Sequence, residues 1–257
     1  MTIQTKTLSE IKILREGGKR HAQILSGLSQ MVVPGVSANE LNEFALKRIK
    51  EQGDVPAFLN YRPEGAKRPY PAALCVSVND EIVHGIPNEK LKILNNGDIV
   101  SLDLGLRHEG FITDAAITVP VGKVSHENES LIATTQRALY AGIEAALLGG
   151  RIGDVGAAIE RIARRAQFNI CEGLAGHGVG YSVHEDPYVP NTGVKNEGEL
   201  LKEGLVIAIE PMFTTGSGAI SLARDGFTYK TSDGAKAAHF EHTVAITKEG
   251  PVILTAL

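Results

Sequence analysis

Tryptophan is absent from the 257 residues, and only two cysteines, three methionines and 5% aromatic residues are present. Two cysteines as far apart as Cys75 and Cys171 make no disulfide framework, and without paired CxxC motifs a thiolate zinc site is a poor candidate. Positive charge is not in excess either. The 26 Lys and Arg stand against 30 Asp and Glu, a net charge of −4, so the basic footprint of a nucleic-acid binder is missing. Long apolar runs are also missing: MTIQTKTLSE at the N-terminus has no apolar signal core, and no stretch reaches the roughly 20 residues that span a bilayer. No membrane or nucleic-acid partner is expected, and the expected compartment is the cytoplasm.

What is present is ordinary globular composition, 43% hydrophobic and 22% charged. No Pro-, Gly- or Ser-rich linker divides the chain, so a single domain over residues 1–257 is expected. Thr7-Leu8-Ser9-Glu10 and Ser37-Ala38-Asn39-Glu40 read as capping boxes opening two amphipathic helices, the first running to about Met31 and the second stopped by Gly53. A Pro- and Gly-rich loop with Tyr61 and Tyr70 leads into strand-like segments up to Val121. The second half repeats this order, with helices over about 127–148 and from about Asp154, then apolar strands. Halves of about 7–121 and 125–250, each α then β, predict an α+β fold with internal pseudo-two-fold symmetry, one sheet and helices on one face.

The stretch Gly97–Val119 reads as a hairpin around Arg107-His108-Glu109-Gly110. Centred between His108 and Glu109, it sets Asp103 directly opposite Asp114. Alternation places both on one face with Ser101, Gly105 and Ala116, while Val100, Leu102, Leu104, Leu106, Phe111 and Ile117 fill the other. Like charges so paired are unfavourable, which calls for metal ions, a Lys or Arg, or bulk water above them. Four further polar residues stand out. His177 and His184 lie in the glycine-dense GHGVGYSVHEDP, where glycines leave His177 uncovered. Glu210 ends the apolar strand LVIAIEP, and Glu241 sits inside HFEHTVAIT, where an unpaired buried carboxylate is costly. A lone aspartate commonly faces water and a lone histidine is commonly structural. Converged, four carboxylates and an imidazole would instead suit two divalent ions.

HGIP at His84, the strand holding Asp103 and Asp114 eleven apart, GHGVGYSVHEDP, AIEPM around Glu210 and FEHT around Glu241 occur in one order. That succession, from about Leu8 to Thr247, resembles the type I methionine aminopeptidases in their short bacterial form, members of the pita-bread (creatinase/aminopeptidase) fold. The resemblance implies a curved antiparallel sheet and two divalent ions (Co²⁺, Mn²⁺, Fe²⁺ or Zn²⁺) on Asp103, Asp114, His177, Glu210 and Glu241, with Asp114 and Glu241 bridging. It implies removal of N-terminal methionine from nascent chains, with a small second residue preferred, by a metal-activated water. Glu210 would accept the proton, His184 would hydrogen-bond the scissile carbonyl, and His84 would contact the second residue and assist proton transfer. Tyr61, Tyr70, Cys75 and Phe227 match pocket positions, the tyrosines only if 62–69 is an insertion. Val183 stands where Phe is common, Phe227 where Trp occurs, and His239 where Gln is frequent; alternation puts His239 on the face of Glu241. The implied partners are nascent N-termini and the ribosome exit region, the implied state is a monomer, and Thr2 is small enough that the chain's own Met1 would be a substrate. The competing expectations are a prolidase or Xaa-Pro aminopeptidase, and a non-catalytic binding protein on the same fold.

Overall fold

The computed structural model describes residues 3–63 and 65–257. The expected processing of Met1 beside Thr2, and residue 64 of the insertion, lie outside the described residues. Thr7 and Ser37 cap as their motifs require: each hydroxyl accepts from the backbone N–H three residues on, and Glu10 or Glu40 reaches back. They open α1 (Leu8–Met31) and α2 (Ala38–Glu51). Next come β1 (Val55–Pro56), β2 (Leu74–Val78), β3 (Glu81–Val83), β4 (Ile99–His108) and β5 (Phe111–Pro120).

The second half starts with α3 (His126–Ala145) and α4 (Ile152–Ala166). The former stops three residues short of the expected Leu148, because the Ala146 N–H turns back to the Ile143 carbonyl. The latter starts before Asp154, whose carboxylate instead accepts from the Arg151 N–H at 2.7 Å. The remaining strands are β6 (Asn169–Ile170), β7 (Ala175–Gly178), β8 (Glu185–Pro190), β9 (Val206–Ile209), β10 (Met212–Thr214), β11 (Ile220–Leu222), β12 (Tyr229–Thr231), β13 (Ala237–His239), β14 (Glu241–Thr247) and β15 (Gly250–Ile253).

A nine-stranded antiparallel sheet runs β1-β4-β5-β14-β9-β7-β8, with β2 also on β4 and β15 also on β14. The halves meet at β5 and β14, where Glu241 faces Ala116 and His242 faces Ala115. Helices cover one face. Leu102 and Leu104 pack with α1 and α2, while Ile207, Ile209, Val244 and Ile246 pack with α3 and α4. Each is fully buried, worth about 2 kcal/mol of transfer free energy before conformational entropy is charged against it. Among the described residues, no helix is long and apolar enough to cross a membrane.

The hairpin differs from its expected register. The turn is Glu109-Gly110, with φ of 46° and 89°, the two positive values that a two-residue type I′ connection demands. His108 therefore pairs with Phe111, Asp103 faces Ala116, and Asp114 faces Gly105. The slip is two residues and no bulge interrupts it, so parity is kept and both aspartates remain on one face, as diagonal rather than direct neighbours.

Candidate metal centre

Parity carries the same face across the sheet. Ile209 pairs with His242 and Ile207 with Val244 on the helix side, so Glu241 and the following position 210 fall on the opposite side, with Asp103 and Asp114. Gly178 pairs with Ile207, which turns His177 to that side too. Gly176 is required there, because a Cβ would fall on the Ala208 carbonyl. Two threonines lock the central strands. The Asp114 N–H donates to Thr243 Oγ1 at 2.8 Å, and that hydroxyl donates back to the Asp114 carbonyl at 2.7 Å. Thr118 holds residue 239 in the same manner, a pseudo-symmetric counterpart. Asn191 fixes the Glu210 carbonyl at 3.0 Å.

Asp103, Asp114, His177, Glu210 and Glu241 form the floor of a cavity of about 250 Å³. Ligand atoms of Asp114, His177 and Glu241 all lie within 4.8 Å of one another. His177 Nε2 is 3.4 Å from Glu210 Oε1, and His239 Nε2 is 3.4 Å from Glu210 Oε2. The Nδ1 of His177 is 2.9 Å from the Gly178 carbonyl, so that nitrogen carries the hydrogen and Nε2 turns a lone pair to the floor.

Burial, helped by Glu210, pushes the Asp103 carboxyl up to about 6 against the pull of His239. Burial alone takes Glu210 up to about 8; burial, then repulsion from Asp103 and Glu210, takes Asp114 well above the carboxylate range, and burial, then repulsion from Asp114, Glu210 and Asp103, does the same to Glu241. Burial and the neighbouring His184 lower His177 to about 3, keeping its imidazole neutral. Asp103 Oδ1, Asp114 Oδ1 and Glu241 Oε1 are buried without a hydrogen-bond partner among the described residues. At an effective dielectric near 20, two carboxylates about 4 Å apart repel by about 4 kcal/mol. Unpartnered oxygens with one neutral nitrogen are the donor set a divalent cation satisfies, so the residues fit a metal.

The cavity wall holds the other expected residues. Tyr61, Tyr70, Cys75, His84, Val183, His184 and Phe227 all line it. Tyr61 Oη is 2.9 Å from His184 Nδ1, and the His177 and His184 rings meet edge-on at 4.4 Å. Tyr70 donates to the Gly85 carbonyl at 2.9 Å and stacks edge-on with Phe227 at 5.3 Å. His84 holds φ of 59°, a strained backbone of the kind found at working sites. Burial, then His184 and His239, lowers its imidazole to about 4. Burial raises the Cys75 thiol well up, which keeps it an apolar wall rather than a nucleophile.

The model of metallopeptidase family M24 matches residues 12–248. This chain belongs to that family. The chain is 46% identical to a methionine aminopeptidase of Aquifex aeolicus (strain VF5), covering 100% of both. The methionine aminopeptidase structure from Thermotoga maritima superposes with a TM-score of 0.94 at 39% identity, again over 100% of both chains. The prolidase from Pyrococcus furiosus, at 21% identity and TM-score 0.75 over 98% of this chain and 65% of its own, shares the fold alone. That fold is the pita-bread fold, as expected.

Several contacts of this M24 metallopeptidase carry no local sequence signal. Lys6 Nζ reaches Glu185 Oε2 at 2.6 Å, and Glu185 Oε1 accepts from the N–H of Tyr181 and Ser182, bracing the turn that ends in His184. Thr243 and Asn191 are equally silent. Their partners lie 129 and 19 residues away, beyond any periodicity.

Proposed function

We propose that this M24 metallopeptidase removes N-terminal methionine from peptides and nascent proteins whose second residue is small, using two divalent ions, Co²⁺, Mn²⁺, Fe²⁺ or Zn²⁺. One observation carries the reading: an acidic floor of four buried carboxylates and His177 lies in the same cavity as a largely apolar wall with Tyr70, Cys75 and Phe227. Asp103, Asp114, His177, Glu210 and Glu241 are the holding residues. When bound, the ions polarise the scissile carbonyl and lower the pKa of water.

The chain's own residues supply the rest. Glu210 accepts the proton of the attacking water at a carboxylate oxygen. Tyr61 donates its O–H to His184 Nδ1, which leaves the hydrogen on Nε2 free to donate to the scissile carbonyl. His84 contacts the second residue and assists return of the proton to the leaving nitrogen. The methionine side chain rests against Tyr70, Cys75 and Phe227. The protein works as a cytoplasmic monomer on chains near the ribosome exit.

The test is hydrolysis of Met-Ala-Ser, Met-Pro and Ala-Pro peptides with added Co²⁺ or Mn²⁺, before and after chelation. Methionine released from Met-Ala-Ser only while metal is present is expected. Preferential cleavage of Ala-Pro would make the protein prolidase-like, and no cleavage of any peptide would leave a binding protein.

A further inference from the structure

His239 is a buried polar side chain to which the proposed reaction gives no task. It is 0% exposed, and neither ring nitrogen has a hydrogen-bond partner among the described residues. Such a ring is costly to bury unless it serves a neighbour. Its backbone is gripped from β5: Thr118 Oγ1 donates to the His239 carbonyl and accepts from its N–H, both at 2.8 Å. Ser101 Oγ meets the same threonine oxygen at 2.9 Å. The grip pins the end of β13, just before Phe240 and the start of β14, and aims the ring at the floor.

Nε2 lies 3.4 Å from Glu210 Oε2 and 3.9 Å from Glu241 Oε2. Glu210 is thus bracketed by two imidazoles, since its Oε1 is 3.4 Å from His177 Nε2. The two rings differ in kind. His177 has committed its Nδ1 hydrogen to a carbonyl, belongs to the close group with Asp114 and Glu241, and lines the cavity. His239 does not line it. With metal bound and both carboxylates ionised, a lone pair on its Nε2 would face theirs, so in that state the nitrogen carries the hydrogen.

We propose that His239 is a positioning residue of the metal centre: its Nε2–H donates to Glu210 Oε2 from behind, and so presents Oε1, beside His177, to the metal. At 3.4 Å the pair is about 0.5 Å longer than an aligned N–H···O bond, within reach of a small ring rotation. The proposal rests on the metallopeptidase reading above. Outer partners of this sort orient a ligand and raise its affinity for metal.

The experiment titrates Co²⁺ calorimetrically into metal-free wild type, His239→Gln, His239→Asn and His239→Leu, and records the visible absorption of each Co²⁺ form. A melt of each metal-free protein checks folding. His239→Leu is expected to weaken Co²⁺ binding about tenfold or more. His239→Asn, whose amide is too short to reach Glu210, should match it, and His239→Gln should recover to within about threefold of wild type. The Co²⁺ band should keep its shape throughout, because the ligand set is unchanged. If His239→Leu does not fold, the Gln and Asn variants carry the test. Wild-type affinity in the Leu or Asn variant would show a space-filling residue and overturn the proposal. A changed band with no recovery by Gln would show a direct ligand, and overturn it as well. A wild type that takes up no Co²⁺ removes the metal reading and this one together, a result distinct from the other two.

Discussion

Asp103, Asp114 and Glu241 stand on strands of one sheet and Glu210 directly follows another, whereas Tyr61, Arg68 and His184 stand on loops held by side chains. On the floor, ladder hydrogen bonds and the reciprocal Thr243–Asp114 pair fix each carboxylate. At the rim, Lys6 braces the turn beside His184 through Glu185. There too, Arg68 pairs with Glu89, donates to the Asp225 carbonyl at 3.2 Å and lies over the Phe227 ring at 5.3 Å. The difference teaches where each property resides. Damage to the floor should remove chemistry with the fold intact, and damage to the rim should shift rate or affinity by modest factors.

The sharpest way to break that division is to neutralise one floor carboxylate. Asp103→Asn and Glu210→Gln should each abolish methionine release and cut bound metal, with an unchanged circular dichroism spectrum and a metal-free melting temperature equal to or above wild type. The direction follows from removing one charge from a buried like-charged group. Full turnover in either variant would contradict the ligand assignment.

A second test uses pH on the metal-free protein. The floor carboxyls have raised folded values, so the folded state keeps protons that the unfolded chain releases. That contribution is complete below the ordinary carboxylate range and is lost as pH rises through about 6 for Asp103 and about 8 for Glu210. The buried histidines, His177 and His84 among them, have lowered folded values and oppose this trend only below the ordinary imidazole range, so above it metal-free protein should be less stable at pH 9 than at pH 7, by on the order of a few kcal/mol, and saturating divalent metal should reverse the trend. Denaturant midpoints at the two values, with and without Mn²⁺, measure it. A metal-free midpoint that rises with pH would show that these carboxyls do not dominate.

The floor was legible in sequence because a charge inside an apolar strand breaks a strict pattern. Glu210 in LVIAIEP and Glu241 in HFEHTVAIT are out of place at sight, and strand parity alone puts Asp103 and Asp114 on one face. Parity also forgave the register slip, since a two-residue error restores the same face. The register itself depended on Glu109, a non-glycine residue, taking a positive φ, which propensity disfavours. The rim was illegible for a different reason. Lys6 and Glu185 are 179 positions apart, and Tyr61 and His184 are 123 apart. Nothing in either neighbourhood names the other. Tyr61, Tyr70, Cys75 and Phe227, which line the cavity, stood out only through the resemblance of the whole motif series.

Lys6 tests the rim at its strongest point. Its side chain is fully buried, with Glu185 at 12%, so Lys6→Met keeps the apolar stem and leaves a nearly buried carboxylate unpaired, at a cost of about 3 kcal/mol. The Tyr181 and Ser182 N–H groups still hold Glu185, so the turn should loosen rather than unfold. The expected readout is a drop in kcat of about tenfold with little change in bound metal. Loss of metal together with activity would mean that rim and floor are one unit.

Arg68 gives the smallest expected effect. It is 39% exposed on its side chain, and Glu89 is 36% exposed, so the ion pair itself contributes at most about 1 kcal/mol. Its task is steric: the guanidinium backs Phe227, whose edge meets Tyr70, and both rings line the cavity. Arg68→Ala should leave kcat for Met-Ala-Ser within about twofold and raise KM about threefold, because a wall free to tilt binds the methionine side chain less well in ground and transition state alike. Arg68→Lys, which keeps charge but not the flat face, should behave like Ala. A variant that altered kcat instead would place Phe227 among the groups acting on the reacting atoms, and would move the boundary between floor and rim up to the pocket wall.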